Sequence, residues 1–227
     1  MFLQFHRLSK TGEDRVGVEI DRLIIAGWAG RNEAAIEHHI EELAALGIPR
    51  PSTTPLYYRV AAQTLTQDSR LVVLGPDSSG EVEPVVVAMA DGLWIGIGSD
   101  HTDRKAEAQG IALSKQLCGK PVGRHLWSYA DVEDHWDELE IRSWAIIDGE
   151  RVLYQESPIS ALRTPRDLIR KTAGSDALPP GTLMFCGTPG AIGGIRPGTR
   201  FEMQILDPVL NRSLEHAYDI DTLPVVS

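Results

Sequence analysis

Two glutamates separated by one residue, Glu81 and Glu83, stand at the start of the apolar run EVEPVVVAMA. On a β-strand alternate side chains project from one face, so this spacing would bring both carboxylates together. Adjacent carboxylates repel each other unless a cation or protons intervene, and a hard divalent cation prefers a compact cluster of oxygen ligands. Exposed glutamate pairs are also common at solvated strand starts, and the pair by itself favours that simpler interpretation.

The segment SDHTDR, residues 99–104, follows the apolar run LWIGIG. Polar side chains at the end of a buried strand often line a site, and Asp100 would supply a third oxygen ligand there. We interpret His101 as an ordinary loop histidine rather than a ligand. We interpret Asp103 as the N-cap of the helix that follows.

The segment EHHIEE contains two histidine–glutamate pairs with helical spacing. His39 and Glu42 are three residues apart, as are His38 and Glu41, so each pair would share a helix face. A carboxylate can orient an imidazole and raise its basicity, which suits a general base near neutral pH. The spacing does not choose between the pairs, and two exposed histidines on a charged face are the simpler interpretation.

The segment GTPGAIGG, residues 187–194, is longer than a hairpin turn between its flanking apolar runs would need. Gly187 and the glycines after it permit positive φ and close backbone approach. Thr188 offers a hydroxyl and an N–H to a carboxylate or phosphate, although the GK[ST] ending of a phosphate-binding P-loop is missing. A tight crossover between strands would use the same glycines, and the two interpretations are compatible.

Composition excludes several classes of protein. With 32 acidic and 22 basic residues the net charge is −10, which argues against a nucleic-acid-binding face. Cys118 and Cys186 do not make a disulfide framework, and Cys186 is expected to be a buried core thiol. The opening MFLQFHRLSK does not resemble a signal peptide, and no apolar run approaches the roughly 18 residues of a membrane helix. We therefore expect a soluble cytoplasmic protein.

The hydrophobic pattern predicts one clear N-terminal helix. In NEAAIEHHIEELAALGI the apolar positions recur at three and four residues. Asn32 would cap this helix, and Gly47 with Pro49 would end it. FLQFHRL and GVEIDRLIIAGWA before it predict two β segments, and the prolines of IPRPSTTPLYY after it predict an extended linker.

From about residue 70 onward the pattern is dominated by strands. Short β-branched and aromatic runs alternate with turn residues, and IIDGERVLY predicts a hairpin with Asp-Gly at its turn. Two helices interrupt the strands, DRKAEAQGIALSKQL and PRDLIRKTA, the second with Thr164 as N-cap and Pro165 at its first position. The sequence predicts a β-rich α+β protein, with an N-terminal portion at 1–70 that carries strands and the histidine–glutamate helix, and a main domain at 71–227.

In chain order the motifs read H-x-x-E, E-x-E, S-D-x-T-x-R, a lysine, and GTPGAIGG followed by PGT. This order resembles the fumarylacetoacetate hydrolase (FAH) family, and LMFCGTPGAIGGIRPGTRFEMQI is the strongest match. The resemblance runs from about residue 30 to the C-terminus. It implies an FAH-like β-roll with mixed sheets, usually a homodimer, and a catalytic domain at 71–227. The branch it is most similar to is one associated only with a domain of unknown function.

The resemblance also implies a cofactor and a catalytic dyad. Glu81, Glu83 and Asp100 match the family's metal ligands, with Mg²⁺ or Mn²⁺ as the expected ion and Ca²⁺ as an alternative. His39 and Glu42 match its catalytic dyad, ahead of His38 and Glu41.

Four further residues take their roles from the resemblance. Arg104 and Thr188 would hold a substrate carboxylate, and Gly187 would let the backbone approach it. Counting back from Pro121-Val122-Gly123 selects Lys115 as the active-site lysine, whereas the local Gly-Lys pair selects Lys120, and the longer anchor favours Lys115.

The sequence departs from the family at several points. The interval from Glu83 to Asp100 is shorter than usual, which indicates a trimmed hairpin. Ser99 stands where the family mostly has asparagine, and Arg59 where it often has lysine.

Proteins of this family act on small 2-oxo acids, so the resemblance implies hydrolysis of a carbon–carbon bond in a 2,4-dioxo acid such as an acylpyruvate. The metal would polarise the 2-oxo group and stabilise the enolate. His39 would activate water, and Lys115 would stabilise the oxyanion or protonate the leaving carbon. The same ligands serve decarboxylases, isomerases and sugar-acid dehydratases, which stay open as alternatives. A non-catalytic small-molecule-binding homologue is the alternative from another class.

Overall fold

The computed structural model of the chain describes residues 1–45 and 50–226, apart from the side chains of His39, Glu42, Leu43 and Ala45. The predicted helix end at Gly47 and Pro49 lies outside the described residues. The strands are β1 Phe2–Ser9, β2 Gly12–Glu19, β3 Arg22–Gly27, β4 Leu56–Val60, β5 Leu65–Thr66, β6 Arg70–Leu74, β7 Ser78–Ser79, β8 Val82–Met89, β9 Gly92–Ser99, β10 Thr102–Asp103, β11 Lys120–Pro121, β12 His125–Ser128, β13 Glu140–Ile147, β14 Glu150–Pro158, β15 Thr182–Phe185, β16 Arg200–Asp207 and β17 Arg212–Leu223. The α-helices are α1 Glu33–Ala45, α2 Arg104–Glu107, α3 Ile111–Leu117, α4 Tyr129–Val132 and α5 Pro165–Ala173, with short 3₁₀ turns at Ala62–Thr64, Glu133–Glu138 and Ile159–Ala161.

An eight-stranded mixed sheet forms the centre of the fold, in the order β2-β1-β12-β9-β8-β15-β3-β4. The pairs β1/β12 and β15/β3 are parallel, and the remaining pairs are antiparallel. Gln67, beyond β4, holds β1 through two hydrogen bonds, accepting from Gln4 N at 3.0 Å and donating to Gln4 O at 2.9 Å. The sheet therefore curls, and it encloses an apolar cluster that includes Phe5, Leu23 and Phe185.

A second, five-stranded sheet packs on the other face in the order β14-β13-β16-β17-β6. The second apolar cluster lies at this face, with Val86 and Ile97 of the large sheet and Phe201 and Tyr218 of the small one. The register of β13 and β14 shifts between Ser143 and Trp144, which is a β-bulge. The predicted α+β class with mixed sheets is confirmed.

The capping residues predicted from the sequence stand at the starts of α1, α2 and α5. Asn32 Oδ1 accepts from Ala35 N at 3.0 Å, Asp103 Oδ1 from Ala106 N at 2.9 Å, and Thr164 Oγ1 from Asp167 N at 3.2 Å. Asp148 and Gly149 both have positive φ, 53° and 84°, as the predicted tight hairpin turn requires. Cys186 is a buried core thiol, 1% exposed, as expected.

Two predictions about elements were wrong. The helix expected over DRKAEAQGIALSKQL is two short helices, α2 and α3, because the chain extends at Gly110, which then caps α3. The two expected N-terminal β segments are three strands, since β1 and β2 form a hairpin before β3. The boundary predicted between residues 70 and 71 falls at the start of β6, and the large sheet takes strands from both sides of it; the division into two parts stays a prediction. Across the described residues, no helix has the length and apolar character needed to cross a membrane.

Gly98 in β9 offers a direct test of how tightly the curled sheet is packed. A Cβ at this position would lie 2.8 Å from Phe185 Cε1 and 3.0 Å from Val85 Cγ1. We expect Gly98→Ala to lower the free energy of unfolding by about 1–3 kcal/mol through overpacking, measured by urea denaturation. The control is Gly110→Ala, where a Cβ meets nothing within 4 Å and the loss should stay below about 1 kcal/mol. Equal losses in the two variants would contradict the packing argument.

His216 in β17 makes stability depend on pH. Burial and the nearby Arg124 cation lower the pKa of this imidazole to about 4, from 6.5 for a free imidazole, and its Nε2 is buried without a hydrogen-bond partner in the described part of the chain. Between those two values the unfolded chain binds more protons than the folded chain, so the free energy of unfolding falls as the pH is lowered through this window. We expect His216→Phe to flatten this fall, measured by urea denaturation from about pH 7 to about pH 4. Gln63→Leu, at an exposed position without a titratable side chain, is the control and should leave the slope unchanged.

Candidate metal and substrate site

Four strand ends meet at one edge of the large sheet. The start of β8 and the end of β9 lie side by side because the two strands form a hairpin, with Val82 opposite Ser99. The end of β15 lies beside them, because β15 is antiparallel to β8, and the end of β3 follows, because β3 is parallel to β15. Loops from all four strand ends therefore reach one cleft of about 580 Å³.

Glu81, Glu83 and Asp100 come together at this edge, with one oxygen from each lying within 4.8 Å of the others. Glu83 and Asp100 are 2% and 0% exposed. The β8–β9 hairpin brings the ligands together, and the backbone N–H of Asp100 donates to Glu81 O at 3.0 Å. Burial and the Asp100 and Glu81 carboxylates raise the pKa of Glu83 well above its usual value, although Lys115 acts against them.

These residues fit a divalent cation. All three offer carboxylate oxygens, the ligands that Mg²⁺ and Mn²⁺ prefer. Asp100 Oδ1 is buried and has no hydrogen bond from the described residues. Lys120 Nζ lies 2.9 Å from that oxygen as an ion pair and also donates to the carbonyl of His101.

The two candidate lysines occupy different places around Asp100. Lys115, on α3, lines the cleft, hydrogen-bonds Asp100 Oδ2 and lies 3.9 Å from Glu81 Oε2. Lys120 is 0% exposed and lies behind Asp100, away from the cleft lining. Burial alone would raise the pKa of Asp100, but the two ammonium groups lower it to about 2. Burial alone would lower the pKa of Lys115, but the Asp100 and Glu81 carboxylates raise it above its usual value.

Arg104 also faces the cluster. Its Nη2 lies 2.9 Å from Glu81 Oε1, its Nη1 lies 3.1 Å from Glu107 Oε2, and its Nε donates to Ser79 Oγ at 2.7 Å. The guanidinium is thus fixed on one side of the carboxylates, in the cleft wall.

The glycine loop after β15 closes over the cluster. The N–H of Gly187 donates to Glu83 Oε2 at 2.7 Å, so this glycine orients a candidate metal ligand. Only glycine suits the position, because its φ is 97° and a Cβ would lie 2.6 Å from Ala29 Cβ. The Thr188 hydroxyl donates to Val82 O at 3.0 Å and accepts from Gln155 at 2.8 Å, which leaves its backbone N–H as the group available to a ligand.

Sequence reasoning missed Gln155, which ties the loop to β8. Its amide accepts from Val82 N at 3.0 Å and from Ser143 Oγ at 2.9 Å, and it donates to Thr188 Oγ1 and to Pro189 O at 2.6 Å. The β-bulge turns both Tyr154 and Gln155 inward, each 1% exposed. Because a bulge breaks the two-residue alternation of a strand, the sequence pattern carried no signal for this residue.

A buried hydrogen-bond chain lies behind the carboxylates, and it corrects the interpretation of His101. This histidine is 0% exposed rather than an ordinary loop residue, and its nitrogens lie 2.9 Å from Tyr218 Oη and from Ser78 Oγ. Tyr218 Oη donates to Ser99 Oγ at 2.9 Å, which accepts from Glu81 N at 3.2 Å. Burial and the Lys120 and Arg104 cations lower the pKa of His101 to about 3, so the imidazole is neutral.

The predicted dyad is described only in part. His39 and Glu42 belong to α1, but their side chains lie outside the described residues. His38 and Glu41 are exposed positions of the same helix. The first turn of α1 reaches the cleft through Asn32, Ala35 and Ile36.

The sequence matches one family model, described as "Protein of unknown function (DUF2848)", over residues 26–218. No curated protein matches the chain by sequence.

Three solved structures are similar to this chain in fold. Cg1458 is 15% identical, with a TM-score of 0.63 over 99% of this chain and 100% of that one. 2-Keto-3-deoxy-D-arabinonate dehydratase, complexed with magnesium and 2,5-dioxopentanoate, is 15% identical, with a TM-score of 0.64 over 91% and 75%. Yeast ynq8, a fumarylacetoacetate hydrolase family protein, is 15% identical, with a TM-score of 0.63 over 92% and 96%. The resemblance to the FAH family is therefore confirmed in the fold.

Removal of Gln155 tests whether this amide holds the glycine loop on β8. In Gln155→Leu, the buried N–H of Val82 and the carbonyl of Pro189 would each lose a partner, at about 1–3 kcal/mol per unsatisfied group. We expect a lower free energy of unfolding and faster hydrogen exchange at the Gly187 amide, measured by urea denaturation and by exchange mass spectrometry. Gln63→Leu, at an exposed position, is the control. Unchanged exchange at residues 187–190 would contradict the role given to Gln155.

Proposed function

This chain belongs to the family described as "Protein of unknown function (DUF2848)", and we propose that it is a divalent-metal-dependent hydrolase of 2,4-dioxo acids, because Glu81 and Glu83 line its cleft and Asp100 lies with them in a cluster of three carboxylates. Its substrate class is the acylpyruvates. The reaction adds water to the carbonyl carbon at position 4 and breaks the bond between carbons 3 and 4. The bonding electron pair goes to carbon 3, which takes a proton, so the products are a carboxylic acid and pyruvate.

The observation that carries the proposal is the pairing of an acidic cluster with two cations in one cleft. Glu81, Glu83 and Asp100 supply the oxygen ligands, while Lys115 and Arg104 lie beside them within ion-pair distance. Mg²⁺ or Mn²⁺, with Ca²⁺ as an alternative, would be held by the three carboxylates and would supply a Lewis acid for the 2-oxo carbonyl and the developing enolate charge.

The chain's own groups have separate tasks in this proposal. Lys115 donates to the developing oxyanion or protonates carbon 3, since its ammonium lies at the cluster and borders the cleft. Arg104 and the backbone N–H of Thr188 bind the substrate carboxylate. Gly187 acts indirectly, because its N–H holds Glu83.

The general base is proposed from the sequence resemblance. His39, oriented by Glu42, takes a proton from the attacking water. Assembly as a homodimer and a cytoplasmic location likewise stay predictions from the sequence.

A sugar-acid dehydratase is the second candidate, because one structure of the same fold is a dehydratase complexed with magnesium and 2,5-dioxopentanoate. Such a reaction would use the same carboxylate ligands and would expel water instead of adding it. The two candidate functions are distinguished by whether the protein converts a 2,4-dioxo acid or a sugar acid.

Calorimetric titration of metal-stripped protein with Mg²⁺ and Mn²⁺, with and without oxalate as an enolate mimic, tests the metal site. We expect the wild-type protein to bind the ion, and oxalate to tighten that binding. Glu83→Gln should weaken ion binding by at least about tenfold, since it removes a charged ligand. Glu202→Gln, on β16 and ion-paired with Arg151 and Arg200, is the matched control.

Turnover of acetylpyruvate then tests the reaction, through release of pyruvate and acetate. Lys115→Met should lower kcat by at least about 100-fold while the ion still binds. Absence of metal binding in the wild-type protein would overturn the proposal and favour a binding protein on this fold. Metal binding with turnover only of sugar acids would favour the dehydratase.

A further inference from the structure

The wall of the cleft beyond the carboxylate cluster is largely apolar. Trp28, from the β3–α1 connection, and Tyr58, from β4, contribute aromatic rings. The other apolar or aromatic side chains of the lining include Ile36, Ile111, Tyr154, Leu162 and Ile195. Ile195 is 54% exposed, so part of this apolar surface faces solvent and would gain from being covered by a ligand.

The polar side chains of the same wall already have partners within the chain. Both carboxylates form ion pairs, and the amides and the hydroxyl hydrogen-bond nearby groups: Glu107 with Arg104, Glu156 with Arg142, Asn32 with Ala35, Gln155 with Thr188 and Pro189, and Ser157 with Pro158. These contacts orient the polar side chains of the wall toward groups of the chain itself. A polyhydroxylated chain bound there would have to share or displace these contacts, whereas an apolar substituent would leave them in place.

Trp28 has an unusual backbone conformation at this wall. Its φ is +59°, in the left-handed region, which bulky residues rarely adopt. Residues in such conformations persist where their surroundings fix them, and they cluster at ligand sites.

The segment around Trp28 is fixed on both sides. A Cβ on Gly27 would lie 2.8 Å from the Tyr58 ring, and Ala29 packs against Gly187 and accepts from Arg163 N at 2.8 Å. The indole is therefore a built part of the wall and not a side chain on a loose loop.

The side chains of Trp28 and Tyr58 connect the apolar wall to Lys115, the cation at the carboxylate cluster. Trp28 hydrogen-bonds the Tyr58 side chain, and Lys115 Nζ lies 5.7 Å from the centre of the Tyr58 ring. A substituent extending from the carboxylate cluster past Lys115 would meet these rings. Indole and phenol rings bind apolar and aromatic groups best.

We propose that this apolar wall binds the acyl substituent of the substrate, that the preferred 2,4-dioxo acids carry an aromatic or bulky apolar acyl group, and that Trp28 is the specificity-determining residue. The inference rests on the proposed function for the identity of the reacting part of the molecule. It goes beyond that function by naming the substituent and the residue that selects it.

The test compares a methyl with a phenyl substituent on the same acid. With Mg²⁺ present, kcat/KM is measured for acetylpyruvate and for benzoylpyruvate, using wild type, Trp28→Ala and Trp28→Phe. We expect wild type to prefer benzoylpyruvate by about tenfold or more. Trp28→Ala should lose most of that preference, because kcat/KM should fall further for benzoylpyruvate than for acetylpyruvate, and Trp28→Phe should keep part of it. Trp144→Ala is the control, because that ring lies on the small sheet under Arg151, away from the cleft.

A binding measurement separates failure of this inference from failure of the proposed function. Calorimetry with Mg²⁺-loaded protein compares pyruvate with phenylpyruvate. If neither diketo acid is hydrolysed, tighter binding of phenylpyruvate that Trp28→Ala weakens still supports the apolar wall. Equal binding of the two acids, or equal wild-type kcat/KM for the two diketo acids, overturns the inference whatever the variants do. Hydrolysis of acetylpyruvate with no preference for the phenyl substituent would overturn the inference alone and leave the proposed function standing.

Discussion

Three carboxylates held within a few ångströms of one another, two of them buried, are the constraint on which the rest of this site depends. Such a cluster is unfavourable without positive charge, because both desolvation and mutual repulsion act against ionisation. The chain supplies that charge from three directions, with Lys115 facing the cleft, Lys120 behind Asp100 and Arg104 beside Glu81. The raised pKa of Glu83 and the lowered pKa of Asp100 show that this compensation is unequal. Asp100 is stabilised as the anion, whereas Glu83 is the ligand that most needs a further cation.

The elements around the cluster hold the three carboxylates in place. A hairpin brings Glu83 and Asp100 to the same end of two paired strands. The glycine loop is placed by the neighbouring strand and contributes a backbone N–H to Glu83. Buried polar residues then fix the arrangement, since Gln155 holds the loop and the Ser99–Tyr218–His101 chain supports the backbone at Glu81. A fully satisfied polar network of this kind is rigid, which suits a site that must hold like charges close together.

The wall of the cleft beyond the carboxylate cluster differs in character from the cluster itself. Beyond the carboxylate cluster, the surface presented to a substrate is mainly aromatic and aliphatic. The cleft thus has two chemically different parts, one charged and suited to a chelating acid, the other suited to an apolar substituent. Trp28 connects them, because its segment packs on the glycine loop through Ala29 and on Tyr58 through Gly27.

The sequence by itself determined the features that depend on neighbouring residues. The caps at Asn32, Asp103 and Thr164, the Asp148-Gly149 turn and the α+β class all follow from local backbone chemistry, and the order of motifs indicated the FAH-like fold. The tertiary structure alone decided the features that depend on contacts between distant segments. It separated Lys115 in the cleft from the buried Lys120, buried His101, committed the Thr188 hydroxyl to Val82 and turned Gln155 inward at a bulge. The physical reason is that burial and hydrogen-bond partners across strands arise from register and packing, which a residue's own neighbours along the chain do not specify.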